Sequence, residues 1–281
     1  MFLISIVLSL FIFYPTVNRL VGLSRVSELY SHIQLMPLLS GCFFYYKRKS
    51  IFSEVEYSLA LGPGLIAAGG VLYVTISLTR GANYHNNNDH LSLLTFAAVI
   101  VLIGVFTLFY GVKALRCAVF PFILFFFVIP LPNLITNVSV HLLQKGSAEV
   151  VALFFSLLKV PVVRDGYVFA FPQLSIEVAE QCSGIRSSIA LVITTIIAGN
   201  LFLLSGWTRI ALVASIVPVA ILKNGVRIVT LSLLGAYFDE GILQGDLHRK
   251  GGVLFFIFAL ILMWGLVALL RKADKQYVVK K

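Results

Sequence analysis

Long apolar stretches recur along the whole chain, and they limit its possible folds more than any motif does. A helix of about 20 apolar residues is long enough to cross the hydrocarbon core of a bilayer. Of the 281 residues, 59% are hydrophobic and only 12% are charged. We therefore expect an all-α, multi-pass (polytopic) membrane protein. The stretches predict eight transmembrane helices, at about residues 2–20, 28–46, 57–78, 91–111, 115–131, 184–205, 209–234 and 252–270.

The net charge of +10 reflects membrane orientation rather than a nucleic-acid surface, because the basic residues are scattered at the ends of apolar stretches. With eight spans, the loops on one side of the membrane contain many basic residues and only three acidic ones, Glu54, Glu56 and Asp274. The positive-inside rule makes that side cytoplasmic, with both termini on it, in the inner or plasma membrane. Its basic residues are Lys47, Arg48, Lys49, Lys113, Arg116, Arg209, Arg271, Lys272, Lys275, Lys280 and Lys281.

Two further elements are expected between the fifth and sixth spans. Residues 134–160 have a helical pattern that polar residues interrupt, which predicts an amphipathic helix lying on, or dipping into, the outer surface. Residues 160–178 are rich in β-branched and aromatic residues broken by Gly and Pro, which predicts a small β-hairpin.

Cys182 lies in a short polar block, AEQCSGIRSS at residues 179–188, just before the sixth span. The start of a helix presents unpaired N–H groups and a positive dipole end, and both favour a thiolate. Arg186 follows four residues later, and on one helix it would share a face with Cys182. The block therefore predicts a reactive thiol.

Depth in the membrane links Cys182 to two distant residues. Arg227 lies 18 residues after Arg209, about 27 Å along a helix, which nearly equals the hydrocarbon thickness. Arg227 is thus expected at the outer edge, with Asn224 on the same helical face. His248 precedes the last span on that side. A thiol, a cation and a histidine at one depth are sufficient for acyl transfer through a thioester.

Other interpretations remain open. The cysteine can be inert and the arginines can be interfacial anchors, as in a transporter or assembly subunit for exopolysaccharide export, which does not require a thiol. No disulfide is expected, because Cys42 and Cys117 fall near the cytoplasmic side on this topology. No metal or other cofactor is expected either, because one Cys and one His fall short of a zinc ligand set.

Three blocks resemble the exosortase/archaeosortase family of bacterial and archaeal membrane enzymes. Residues 177–187, EVAEQCSGIRS, resemble its cysteine block, and residues 222–228, LKNGVRI, resemble its Asn-x-x-Arg block. His248, shortly before two glycines and the last span, resembles the third, although the following Arg249 and Lys250 depart from the usual pattern. The resemblance covers about residues 115–270, and before that it extends only to apolar spans.

This resemblance implies a division of the chain and an activity. Residues 1–114 would be divergent N-terminal spans, residues 115–271 the catalytic membrane core and residues 272–281 a basic cytoplasmic tail. The activity implied is that of a cysteine-dependent peptidase or transpeptidase with its active site on the extracytoplasmic face.

Its partners would be membrane-anchored proteins with a C-terminal tripartite (PEP-CTERM-like) sorting signal, namely a short motif such as Pro-Glu-Pro, a membrane helix and a basic tail. The enzyme would pass the cleaved protein to an acceptor such as a lipid or a glycan-linked component. By resemblance Cys182 is the nucleophile, Arg227 the transition-state cation and His248 the general acid/base. The residues expected to support them are Ser183, Gly184, Arg186 and Asn224.

Overall fold

The structure, a computed structural model, is mostly helical and describes residues 9, 11–79, 88–172, 175–238 and 251–279. For residues 181, 182 and 276–279 it describes the backbone alone. Contacts divide the chain into two compact units, Met1–Thr136 and Asn137–Lys281.

The first unit contains helices and short helical turns. They are α1 (Tyr14–Val26), a 3-10 helix (Glu28–Gln34), α2 (Met36–Tyr46), α3 (Arg48–Ile51), α4 (Leu61–Leu78), α5 (Asn88–Cys117) and α6 (Val119–Phe126). Helices α4 and α5 pack closely because glycines line their contact. A Cβ on Gly62 would lie 2.6 Å from the Leu108 Cα, and one on Gly69 would lie 2.8 Å from Val101 Cγ2. Small residues allow this close approach between membrane helices.

A kink divides α5 at Gly111. This residue has φ +83° and ψ 175°, outside the helical region. The positive φ favours glycine, and a Cβ at this position would overlap the carbonyl oxygen of Glu56. Just beyond the kink, Lys113 Nζ lies 2.9 Å from Glu54 Oε2. The kink therefore ends the straight part of this helix close to residue 111, where the predicted span ends.

Among the described residues, five helices are long and apolar enough to cross a membrane, and the protein is a multi-pass membrane protein. They confirm helices at five of the predicted spans, 57–78, 91–111, 184–205, 209–234 and 252–270. The five are Leu61–Leu78, Asn88–Cys117, Ile185–Phe202, Gly206–Tyr237 and Gly252–Lys275.

The predicted count of eight is not confirmed. Residues 28–46 form a seven-residue 3-10 helix followed by the 11-residue α2, rather than one span. Residues 115–131 contain the end of α5 and the eight-residue α6. Helices this short extend less than about 20 Å, below the hydrocarbon thickness. Residues 2–20 lie partly outside the described residues, and the location of both termini in the cytoplasm remains a prediction.

The second unit combines a small sheet with long helices. Its elements are α7 (Asn133–Leu157), β1 (Val163–Asp165), β2 (Val168–Ala170), β3 (Ser175–Glu177), a 3-10 helix (Glu180–Ser183), α8 (Ile185–Phe202), α9 (Gly206–Ala214), α10 (Ile216–Tyr237) and α11 (Gly252–Val279). The strands are antiparallel in the order β1-β2-β3, with Val163 opposite Ala170 and Val168 opposite Glu177. The predicted hairpin is thus confirmed, and a third strand extends it.

Helix α7 confirms the helix predicted over residues 134–160, and it packs against α10. Gly146 contacts Ile221, and one turn later on both helices Val150 contacts Gly225. The two helices therefore run in the same direction where they touch. The exposed Glu149 pairs with Arg164 of β1, with Nη2 2.7 Å from Oε1. The hydrogen bond from Arg164 lowers the pKa of Glu149. The placement of α7 at the outer surface remains a prediction.

Asp274 joins α11 to the beginning of α9. Its side chain is buried, and it accepts hydrogen bonds from Leu204 N at 2.8 Å, from Thr208 Oγ1 at 3.1 Å and from Ser205 Oγ. A carboxylate at this end satisfies backbone N–H groups near the start of α9 and complements the positive end of its dipole.

We predict that Gly111→Ala lowers the free energy of unfolding by about 2 kcal/mol or more, because alanine is strained at positive φ and its Cβ meets the Glu56 carbonyl. The thermal midpoint of the detergent-solubilised protein measures this change. Gly70→Ala is the matched control, because no atom lies within 4 Å of its Cβ position in α4, and alanine favours a helix. Equal midpoints for the two variants would contradict the strain at the kink.

Candidate active site

The cysteine block forms a turn immediately before α8. Cys182 lies in the 3-10 helix Glu180–Ser183, and Gly184 then adopts the left-handed conformation with φ +74° before α8 begins at Ile185. The backbone of Cys182 is therefore close in sequence to the N-terminus of a membrane helix, as predicted. The left-handed residue interrupts the helical path, so Cys182 and the exposed Arg186 do not share one helix face, and that part of the sequence argument is wrong.

Gly184 packs directly on α10. A Cβ at this position would lie 3.0 Å from Asn224 Oδ1 and 3.1 Å from Lys223 Nζ. Both its backbone conformation and this contact therefore favour glycine. Two of the three blocks singled out in the sequence, at Cys182 and at Asn224, are thus adjacent in the structure.

Lys223 is a residue of this site that the sequence argument missed. Its side chain is 3% exposed, and its Nζ donates a hydrogen bond to Ser187 Oγ. Ser187 Oγ in turn donates to the Gly184 carbonyl at 2.8 Å. In the described part of the chain no acidic side chain pairs with Lys223. A buried lysine within a membrane span is costly and indicates a function. The sequence showed only a lysine inside a predicted span, and its burial is seen in the structure alone.

Asn224 joins the same site to α7. Its Nδ2 donates to Ser147 Oγ at 3.0 Å, and both residues are 0% exposed. Gln144, one turn earlier on α7, donates to the Val178 carbonyl at 2.7 Å. Gln144 and Ser147, which interrupt the apolar pattern of α7, therefore fix the segment before Cys182 and the helix beside it.

Arg227 lies three residues after Asn224 on α10 and is half-buried. Residues three apart share a helical face, so Arg227 follows the contact with Gly184 by one turn. Ser183, beside Cys182, is 1% exposed. His248 lies outside the described residues, so the convergence of Cys182, Arg227 and His248 remains a prediction.

The geometry favours negative charge close to the cysteine turn. The N-terminus of α8 and the Lys223 ammonium both lie next to Gly184. Arg227 is a second cation on α10. Positive groups of this kind stabilise a thiolate and the oxyanion of acyl transfer. Cys42 and Cys117 are exposed free thiols far along the chain from this turn.

Comparison with known protein families matches residues 23–265 to the model described as transmembrane exosortase (Exosortase_EpsH). The match includes the blocks at Cys182, Asn224 and His248, and it begins well before residue 115, where the motif resemblance starts. No curated protein and no solved structure matches the chain. Because the family model covers most of the sequence, the chain belongs to the transmembrane exosortase family.

Proposed function

We propose that the protein is a membrane-embedded cysteine peptidase or transpeptidase that cleaves a C-terminal sorting signal from exported proteins. The exosortase family is broadly one of membrane cysteine peptidases and transpeptidases. The observation that supports this activity best is the turn at Gly184, which presses the cysteine block against the Lys223 and Asn224 pair of α10. A transporter would not need a cysteine block next to a buried lysine.

In this mechanism the Cys182 thiolate attacks the carbonyl carbon of the scissile peptide bond. Arg227 stabilises the negative oxygen that forms, and His248 gives a proton to the departing amine as the C–N bond breaks. The product is a thioester between Cys182 and the new C-terminus of the substrate. An acceptor nucleophile, or water, then loses a proton to His248 and attacks the thioester. The C–S bond breaks, and Cys182 leaves as the thiolate, ready for the next cycle.

The substrates are membrane-anchored proteins that carry a tripartite PEP-CTERM-like signal, and the site faces the extracytoplasmic side. The bias of basic residues toward the opposite loops supports this orientation. The acceptor, a lipid or a glycan-linked component, reaches Cys182 from the same side as the substrate.

We predict that Cys182→Ala abolishes processing of a reporter protein carrying the signal, with a rate loss of about 10⁴-fold or more, because no thioester forms. Gel analysis of the co-expressed reporter measures processing, and membrane levels of the variant confirm insertion. Cys117→Ala, which removes an exposed free thiol elsewhere, is the control and keeps the native rate. Normal processing by Cys182→Ala would instead favour a transport or assembly role.

Arg227→Lys tests whether the guanidinium contacts the transition state. A lysine keeps the charge but loses the planar fork of donors, so we expect kcat to fall by roughly 100-fold with a smaller change in KM. The control is Arg116→Lys, which changes an exposed arginine at the end of α5. Near-native kcat in Arg227→Lys would mean that Arg227 is only an interfacial anchor.

Lys223 acts as a positioning residue, through Ser187 and the Gly184 carbonyl. We expect Lys223→Met to lower kcat by roughly tenfold while the thermal midpoint stays constant or rises, because a buried charge is replaced by an apolar chain of similar length. Ser187→Ala breaks the same chain of hydrogen bonds, so the double variant loses no more activity than Lys223→Met alone.

Ser188→Ala is the matched control for Ser187→Ala. Ser188 Oγ also donates to the Gly184 carbonyl, at 3.0 Å, whereas the described hydrogen bond of Lys223 Nζ goes to Ser187 Oγ. We expect this variant to retain most of its activity. Additive losses in the Lys223 and Ser187 double variant, or a parallel fall of stability and kcat in Lys223→Met, would contradict the positioning role.

A further inference from the structure

A groove with an apolar end and a basic end lies in the second unit. Its apolar part is a cavity of about 420 Å³ among α8, α9 and α11, lined by residues such as Thr195, Ala198, Leu212 and Met263. A second cavity of about 310 Å³ adjoins it and shares Trp264 and Val267 with the first. Both volumes are in the range of ligand sites.

The apolar part opens on the side of the helices that would face lipid. Ile261 and Trp264 of α11 are 64% and 61% exposed, and both line the cavity. The Trp264 ring packs edge-on against Phe202 of α8, with ring centroids 5.5 Å apart. Tryptophan is typical of the boundary between the hydrocarbon and the headgroups. The shared wall at Trp264 therefore separates an acyl-chain environment from a headgroup environment.

The basic end presents three cations, Arg271, Lys272 and Lys275, around the second cavity. The acid between them, Asp274, is buried and accepts hydrogen bonds at the start of α9. In the part of the chain that the structure describes, none of the three cations forms an ion pair. Their charge is therefore available to an anion from outside the protein.

The wall of the apolar part contains one buried hydroxyl without a partner among the described residues, that of Thr195. The hydroxyl of the neighbouring Thr194 bonds to its own helix instead, at the Ala190 carbonyl. An unpaired hydroxyl in an apolar site is unfavourable. Thr195 is therefore a polar position in the wall of the apolar part.

We propose that this groove binds an anionic phospholipid, with an acyl chain along the apolar part and its phosphate among Arg271, Lys272 and Lys275. The positive charge of the basic end determines which kind of ligand fits the groove. A zwitterionic lipid neutralises the three cations poorly, and an apolar helix of another protein leaves them unpaired. Anionic lipid and juxtamembrane basic residues attract each other at the membrane surface.

The lipid site is distinct from the cysteine turn. The turn precedes Ile185, at the first end of α8, whereas Phe202, at the last end, lines the basic cavity. Eighteen residues separate these ends, about 27 Å at the helical rise. The bound lipid therefore belongs to the opposite leaflet from Cys182 and is not the acceptor of acyl transfer. It stabilises the folded protein by binding it, and this inference does not rest on the proposed activity.

Lipid binding to the full chain, purified in a neutral detergent, tests the proposal. Native mass spectrometry with added phosphatidylglycerol or phosphatidylcholine measures the affinity for each lipid. We expect one phosphatidylglycerol to bind at least roughly tenfold tighter than phosphatidylcholine and to raise the thermal midpoint. The combined variant Arg271→Gln, Lys272→Gln and Lys275→Gln should reduce that preference to about twofold or less. Equal affinity of the native chain for the two lipids would overturn the proposal.

Two further variants separate the parts of the site. Ala198→Phe fills the apolar cavity, so it should weaken the binding of both lipids at least roughly fivefold. The preference for phosphatidylglycerol over phosphatidylcholine should remain. The control, Lys47→Gln, Arg48→Gln and Lys49→Gln, removes the same number of cations elsewhere and should keep the native preference. An equal loss of preference in this control would show general attraction to the protein surface and overturn the site.

Measurements on the native chain keep the test valid if the triple variant does not fold. The preference for phosphatidylglycerol should fall as salt is added, because screening weakens the attraction between exposed charges. Inorganic phosphate alone should neither displace the lipid nor raise the thermal midpoint. Full displacement by inorganic phosphate would mean that the basic end is only an anion site, and would overturn the lipid assignment.

Discussion

Buried polar contacts between α10 and the turn at Gly184 are the constraint on which the candidate site depends. In a hydrocarbon environment polar groups must find partners within the protein. Lys223 donates a hydrogen bond to Ser187, and Asn224 donates one to Ser147. These bonds join α7, α8 and α10 at one level, where apolar contacts alone would permit sliding or rotation. The cysteine block is thereby attached to the helix that carries Arg227.

Much of the fold could be predicted from hydropathy, since five of the expected spans are helices in the structure. The prediction of eight spans is not confirmed where the helices are too short to cross. The segments around Pro37 and Pro121 are apolar enough to cross, but they form helices of 11 and eight residues. Hydropathy averages over a window, so it does not detect where a helix is interrupted within an apolar segment.

The candidate site was only partly accessible to sequence reasoning. The blocks at Cys182 and Asn224 stand out by residue type, and the structure brings them together at Gly184. The relation between Cys182 and Arg186 was misjudged, because helical spacing does not apply across a left-handed glycine. Lys223 was overlooked although it precedes Asn224, because only burial and its bond to Ser187 distinguish it from an interfacial lysine.

The contact of Asp274 with the start of α9 has a consequence for biogenesis. The Leu204 N–H group and its acceptor carboxylate are 70 residues apart in the chain. During synthesis the α9 segment leaves the ribosome before Asp274 has been made, so its first turn lacks this carboxylate until α11 has been translated. Insertion of α11 thus completes a helix end that was synthesised much earlier.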